Sequence, residues 1–147
     1  MIIQIILGLV AASFLEWFVH KFILHKLGKK RASVFSFHWG VHHGNARKNN
    51  FLDSHVTSRE AFGILLLCIL ALPIWFIFPF VYYSMFFHAM MYYILHNAAH
   101  KHPKFAKKYM PWHYDHHMGK NQNMNWCVVH PLADYIMKTR KSYEYRK

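Results

Sequence analysis

The sequence predicts an all-α protein, an integral-membrane helical bundle of about three spans closed at one face by a histidine-lined cap. Three observations carry this. Apolar residues make up 54% of the 147-residue chain, yet Lys and Arg outnumber Asp and Glu by 18 to 6, a mixture natural for apolar spans joined to basic segments at a membrane face. No Lys or Arg precedes Lys21, and no charged residue lies between Glu60 and Lys101. Most of the 14 histidines gather into four short clusters.

The first span is read over residues 2–19, within MIIQIILGLVAASFLEWFV, where Glu16 is the only charge. A signal peptide would need a basic leading region and a small-residue cleavage site; neither is present, so the segment is expected to be retained. The second apolar stretch, residues 61–100, would extend about 60 Å as one helix, twice the hydrocarbon thickness. It must turn, and Pro73 and Pro79 in LPIWFIFPF supply the break. Thr57-Ser-Arg-Glu60 reads as a capping box opening the first arm, and Pro103 stops the second. The arms, 58–77 and 80–101, are the second and third spans of a single domain covering residues 1–147.

The positive-inside rule then places the N-terminus outside and all 18 cations, with the C-terminus, in the cytoplasm. Cys68 falls within a span and Cys127 in the tail, so no disulfide is expected. The net charge of +12 raises nucleic acid as a partner. Its cations flank spans instead of forming a helical stripe, so none is expected.

The clusters are His20-x4-His25 (HKFILH), His38-x3-His42-His43 (HWGVHH), His96-x3-His100 (HNAAH) and His113-x2-His116-His117 (HYDHH). The topology, derived without them, brings all four to one membrane face. Imidazole suits iron, zinc, copper and nickel, and ten imidazoles exceed the three or four ligands of one zinc site. Two octahedral ions with open positions would use them, so the implied centre is dinuclear. On a helix of 100° per residue, His113, His116 and His117 fan from one face as a chelating surface. His96 and His100 form an i,i+4 pair. His20 and His25 lie about 140° apart on a regular helix, so either they serve different metals or the helix loosens between them.

The remaining histidines have plainer readings. His55, His102 and His130 read as surface residues, and His88, in mid-span, as either functional or bonded to a neighbour. Glu16 lies four residues before His20, on the same helix face, where it would either orient that imidazole through the other ring nitrogen or snorkel to the interface. Asp115, within HYDHH, is a second candidate for such an outer contact.

With its clusters in this order, the chain resembles the fatty acid hydroxylase / sterol desaturase superfamily of integral-membrane di-metal oxygenases. The likeness runs from Glu16 to about Thr139. HKFILH matches the HX4H box, HWGVHH the HX3HH box, HNAAH an HX3H pair and HYDHH the HX2HH box, while NMNWCVVHPLADYIMKT resembles the closing segment. The resemblance implies that His20, His25, His38, His42, His43, His96, His100, His113, His116 and His117 bind two metals. Iron is expected for activity, with zinc an alternative occupant of purified protein. No catalytic residue is implied beyond these ligands. The implied reaction uses O2 to hydroxylate or desaturate an unactivated C–H bond of a lipid, such as a fatty acyl chain or sterol, held between spans two and three by an adaptable aromatic and Met wall. The sequence has neither a dinucleotide-binding glycine pattern nor a ferredoxin-like cysteine array, so an external ferredoxin or cytochrome b5-like donor with its reductase is implied. The basic tail, KTRKSYEYRK, reads as a dock for that donor or for anionic headgroups, or as a solvated terminus. Two other readings stand beside this one: a carotenoid ring hydroxylase, and a non-enzymatic membrane metal-binding protein.

Overall fold

The computed structural model describes residues 1–53 and 58–144. Thr57 of the expected capping box, His55 and the last three residues of the basic tail lie outside the described residues. The chain folds as α1 (Ile2–Phe18), a π-helical segment (Val19–Leu27), a second π-helical segment (Phe37–His43), α2 (Gly44–Lys48), α3 (Ser58–Leu70), α4 (Leu72–Ile77), α5 (Pro79–Lys101), α6 (Pro103–Tyr109), α7 (Pro111–Met118) and α8 (Leu132–Ile136). There is no strand among the described residues.

Proline sets the path of the chain. It opens each of α5, α6 and α7 at the first turn, where its fixed φ suits a helix and its missing N–H costs nothing. It also bars the preceding residue from the helical region. Phe78, His102 and Met110 accordingly have φ between −134° and −131° with positive ψ. Each helix therefore ends one residue before the next begins, and the two sharp corners around α6 fold α7 back toward the end of α5. Pro73, expected with Pro79 to break the hairpin, instead sits in the first turn of α4, after a kink at Ala71.

Among the described residues, two stretches are long and apolar enough to cross a membrane, Ile2–Leu27 and Arg59–Ile77. The first runs past its expected end at residue 19, because α1 continues without a break into the π-helical segment. The expected third span, 80–101, has the length: the 23 residues of α5 extend about 35 Å. Ser84, His88, His96, Asn97 and His100 dilute its apolarity. Phe62, Leu65, Ile69, Leu70, Phe76 and Ile77 of α3 and α4 are exposed, as lipid-facing side chains would be.

α1 packs along α5, and the approach is closest at Gly8. A Cβ there would lie 2.6 Å from the Val81 carbonyl oxygen and 2.7 Å from Ser84 Cβ. Small residues of this kind let helix backbones meet where lipid offers no hydrophobic drive. Gly8→Ala is expected to destabilise the fold by about 1–3 kcal/mol through overpacking, read as a lower Tm in detergent. Gly63→Ala, with nothing within 4 Å of its Cβ, should leave Tm unchanged or raised; equal losses from the two variants would contradict the tight α1–α5 contact.

Candidate metal centre

The ten clustered histidines meet at the end of the bundle where α1, α5 and α7 converge, each of them buried. They separate into two groups. His20, His25, His38, His43 and His116 form one, and His42, His96, His100 and His117 the other, with the ligand atoms of each within 4.8 Å of one another. His113 joins the second through its Nε2, 3.1 Å from His100 Nε2.

Helix type sorts the rings. In a π-helix each N–H bonds five residues back, so side chains five apart share a face. His20 and His25 lie on one π-helical segment and His38 and His43 on the other, and all four enter the first group. The 140° mismatch expected for His20 and His25 is thus removed by loosening of the helix, and they do not divide between groups. On the α-helices the i,i+4 pairs His96/His100 and His113/His117 supply the second group. His42 and His116 cross over, each adjacent in sequence to a ring of the other group. HYDHH is therefore not one chelating face: His113 and His117 go one way and His116 the other.

The inner nitrogens are Nε2. His25, His43 and His116 set theirs in a triangle with edges of 3.0, 3.1 and 3.2 Å. His20 and His38 approach to 3.0 Å, and His42 and His96 to 3.1 Å. Cis donors around an octahedral ion with bonds of about 2.1–2.2 Å sit about 3.0–3.1 Å apart, and tetrahedral donors about 3.4 Å. The spacing therefore suits a six-coordinate ion.

Nδ1 faces outward. That of His100 reaches the Phe51 carbonyl at 2.9 Å, that of His116 the Met124 carbonyl at 2.7 Å, and that of His20 the Trp126 carbonyl. His42 Nδ1 meets Asp53 at 2.7 Å and His96 Nδ1 meets Glu60 at 2.8 Å. The carbonyl contacts and Asp53 fix the tautomer that carries a proton on Nδ1 and aims the Nε2 lone pair inward, while Glu60 lies at ion-pair distance from His96. Asp53 and Glu60 went unrecognised in the sequence. The available signal was scarcity, since only six carboxylates accompany 14 histidines.

The expected outer residues find other partners. Glu16 does not orient His20. One of its oxygens meets His88 Nε2 at 2.7 Å, and the other accepts the backbone N–H groups of Val128 and Val129. His88 is therefore bonded to a neighbour, the plainer of its two readings. Asp115 takes the Arg140 guanidinium at 3.0 Å, which ties that part of the basic tail inward. Asp134 accepts the N–H groups of Trp126 and Cys127, each at 2.8 Å, and the Thr139 hydroxyl at 2.6 Å, holding Trp126 against His20, His25 and His116. His102 and His130 are exposed, as expected, and Cys68 and Cys127 are free.

Burial, followed by the neighbouring imidazoles, pushes His43, His113 and His117 well below the usual imidazole range. His116 is lowered to about 3, burial outweighing the opposing Met124 carbonyl. Neutral rings are the ligand form. Both nitrogens of His117, and Nδ1 of His25 and His113, are buried with no hydrogen-bond partner among the described residues. A buried nitrogen so placed is costly unless something binds it, and a metal ion fits the His117 nitrogen that faces its group. Nine of the ten residues form groups that could hold metal ions, with His113 beside the second.

Two outcomes follow from this geometry. Asp53→Asn and Glu60→Gln should each weaken metal binding by about 10–100-fold, measured by competition with a chelator; unchanged affinity would contradict the outward contacts. Because the folded-state values are lowered, the unfolded chain takes up protons first as pH falls below about 6.5. Stability present at pH 7 should therefore be lost progressively from about 6.5 toward the value of about 3 at His116. Thermal unfolding of metal-free protein should show Tm falling from pH 7.5 to 5, and a rising Tm would contradict the assignment.

A family model described as fatty acid hydroxylase matches residues 5–139, which span all ten histidines. No curated protein and no solved structure matches the chain. With two apolar helices and a buried histidine centre at one end of the bundle, the chain is a membrane protein that belongs to the fatty acid hydroxylase family.

Proposed function

We propose that the chain is a di-iron oxygenase that hydroxylates, or desaturates, an unactivated C–H bond of a membrane lipid. The observation that carries this reading is a cavity of about 300 Å³ between α1, α3 and α5, with His20 and His38 in its wall. Its lining is otherwise largely apolar, including Leu15, Ile23, Ile64, Leu67, Met85 and Phe86, so a hydrocarbon that enters it is favoured in proportion to the apolar area removed from water or headgroups. The expectation of a site between spans two and three is thereby extended: α1 supplies a third wall. From Glu60 to Ala71 the α3 wall rises about 17 Å, room for much of an acyl chain, with one end against the first histidine group.

The chain's own residues hold, orient and seal. His20, His25, His38, His43 and His116 would hold one ion, and His42, His96, His100, His113 and His117 the other. Asp53 and Glu60 keep His42 and His96 in register, while the fully buried Phe51 and nearly buried Trp126 close the centre from outside. When bound, iron supplies reductive activation of dioxygen and hydrogen-atom removal. Glu16 and His88 satisfy each other in the cavity wall, Glu60 pairs with His96, and the Arg59 guanidinium lies over the Phe37 ring. A metal buffer has no use for an apolar cavity ending on its ligands. In this reading α5 is the third span, the N-terminus lies outside, and the histidine centre lies at the cytoplasmic face.

Lipid mass spectrometry of cells expressing the chain with iron and a compatible reductase should reveal a lipid heavier by one oxygen atom, absent with His113→Ala. Ala71→Trp should shift the product toward shorter chains with metal content kept. Unchanged lipids alongside altered metal tolerance would support the buffer.

A further inference from the structure

Hydroxylation by dioxygen turns one C–H bond and one O2 into one C–OH group and one water, taking up two electrons and two protons. The chain has no second redox group in its sequence to supply the electrons, so on the reading above they arrive from another protein, one at a time. The way in is set by what covers the two histidine groups.

The cover differs from side to side. Over the second group, Phe51 stacks on His100 with ring centres 4.4 Å apart and is fully buried. Tyr114 lies over Phe51 as a further layer, at 4.9 Å. Over the first group, Trp126 touches three rings and is 2% exposed. Trp39 differs from both. Its ring lies 5.0 Å from His25 and 5.3 Å from His43, two imidazoles of the first group, and it is only half-buried. Lys29 Nζ sits 4.4 Å above the Trp39 ring, held by Asn123 Oδ1 at 2.7 Å. A single aromatic layer therefore separates solvent from two imidazoles, and a cation marks its outer side.

Charge identifies the kind of partner. Asp53, Asp115 and Asp134 are buried, and Glu16 and Glu60 have side chains 6% and 11% exposed, each taken by a histidine or a backbone N–H. Of the six carboxylates only Glu144 is exposed. Lys26, Lys29, Lys30 and Arg31 follow or end the π-helical segment that carries His25, and all four are exposed. The surface beside Trp39 is thus cationic with its counter-charges spent inside the fold. Such a face speeds encounter with an acidic partner and repels a basic one.

We propose that Trp39, capped by Lys29, is the place where an acidic one-electron carrier protein docks and passes electrons to the ion that the first histidine group would hold. In the basic C-terminal tail, Arg140 is bound to Asp115 and Asn125, whereas Lys29 caps an aromatic ring that touches two imidazoles of the first group. Two successive dockings deliver the two electrons; each carrier is oxidised by one electron, and the protons come from solvent.

The test uses the full-length, iron-loaded chain in lipid nanodiscs with a reduced acidic [2Fe–2S] ferredoxin as probe. Carrier affinity is measured against ionic strength, and reduction of the centre by stopped flow, for Lys29→Glu, Trp39→Phe, Trp39→Ala and, as a control on α6, Lys104→Glu. Lys29→Glu should weaken ferredoxin binding about tenfold or more and flatten its salt dependence, with Lys104→Glu close to the parent. Trp39→Ala should slow reduction at saturating ferredoxin with affinity kept, and Trp39→Phe should restore much of the rate. Equal weakening by Lys29→Glu and Lys104→Glu, or Trp39→Ala reduced at the parent rate, would overturn the proposal. Metal content and lipid oxidation driven by a small chemical reductant are read alongside. If these fail in the parent chain, the oxygenase reading falls instead.

Discussion

Ten imidazoles buried in one place are the constraint on which the rest of this structure depends. Each ring has two nitrogens, and leaving one without a partner inside the protein costs about 1–3 kcal/mol. The outer nitrogens of His100, His116 and His20 are met by carbonyls of Phe51, Met124 and Trp126, and those of His42 and His96 face the carboxylates of Asp53 and Glu60. Inner nitrogens have mainly one another, at 3.0–3.2 Å, and lone pairs aimed at a common point repel unless a cation lies between them. An ion held between these nitrogens would therefore stabilise the fold.

Other features serve that arrangement. Proline at the first turn of α5, α6 and α7 makes the sharp corners that return α7 to the end of α5. Gly8 lets α1 press against α5, which brings His20 and His25 to the same end. Asp134 and Asn125 secure the segment after α7, so that Trp126 closes the first group. Carboxylates are nearly all consumed inside, which leaves the exposed surface strongly cationic. That surplus suits both anionic headgroups and an acidic redox partner.

Much of this was legible in the sequence because it depends on short-range pattern. Charge-free stretches marked the apolar helices, Pro79 and Pro103 marked their ends, and the four clusters marked the centre. The partition of the rings was less accessible. It depends on whether a segment is α- or π-helical, which is a tertiary outcome: the five-residue spacing in HKFILH raised the question, and only the fold answers it. Helix periodicity offered Glu16 to His20 or to the interface, whereas its partners, His88 and the N–H groups of Val128 and Val129, lie 72 to 113 positions away. Asp53 and Glu60 were missed for the same reason. His42 lies 11 residues before Asp53 and His96 36 residues after Glu60, and no local spacing links them.

The central claim is that this nitrogen cage holds two ions. X-ray absorption on the iron-loaded protein, combined with metal counting, tests it most directly. The account predicts two irons per chain, each with a first shell of light nitrogen or oxygen atoms at about 2.1–2.2 Å dominated by imidazole scattering. A single iron per chain, or a first shell containing sulfur, would contradict it.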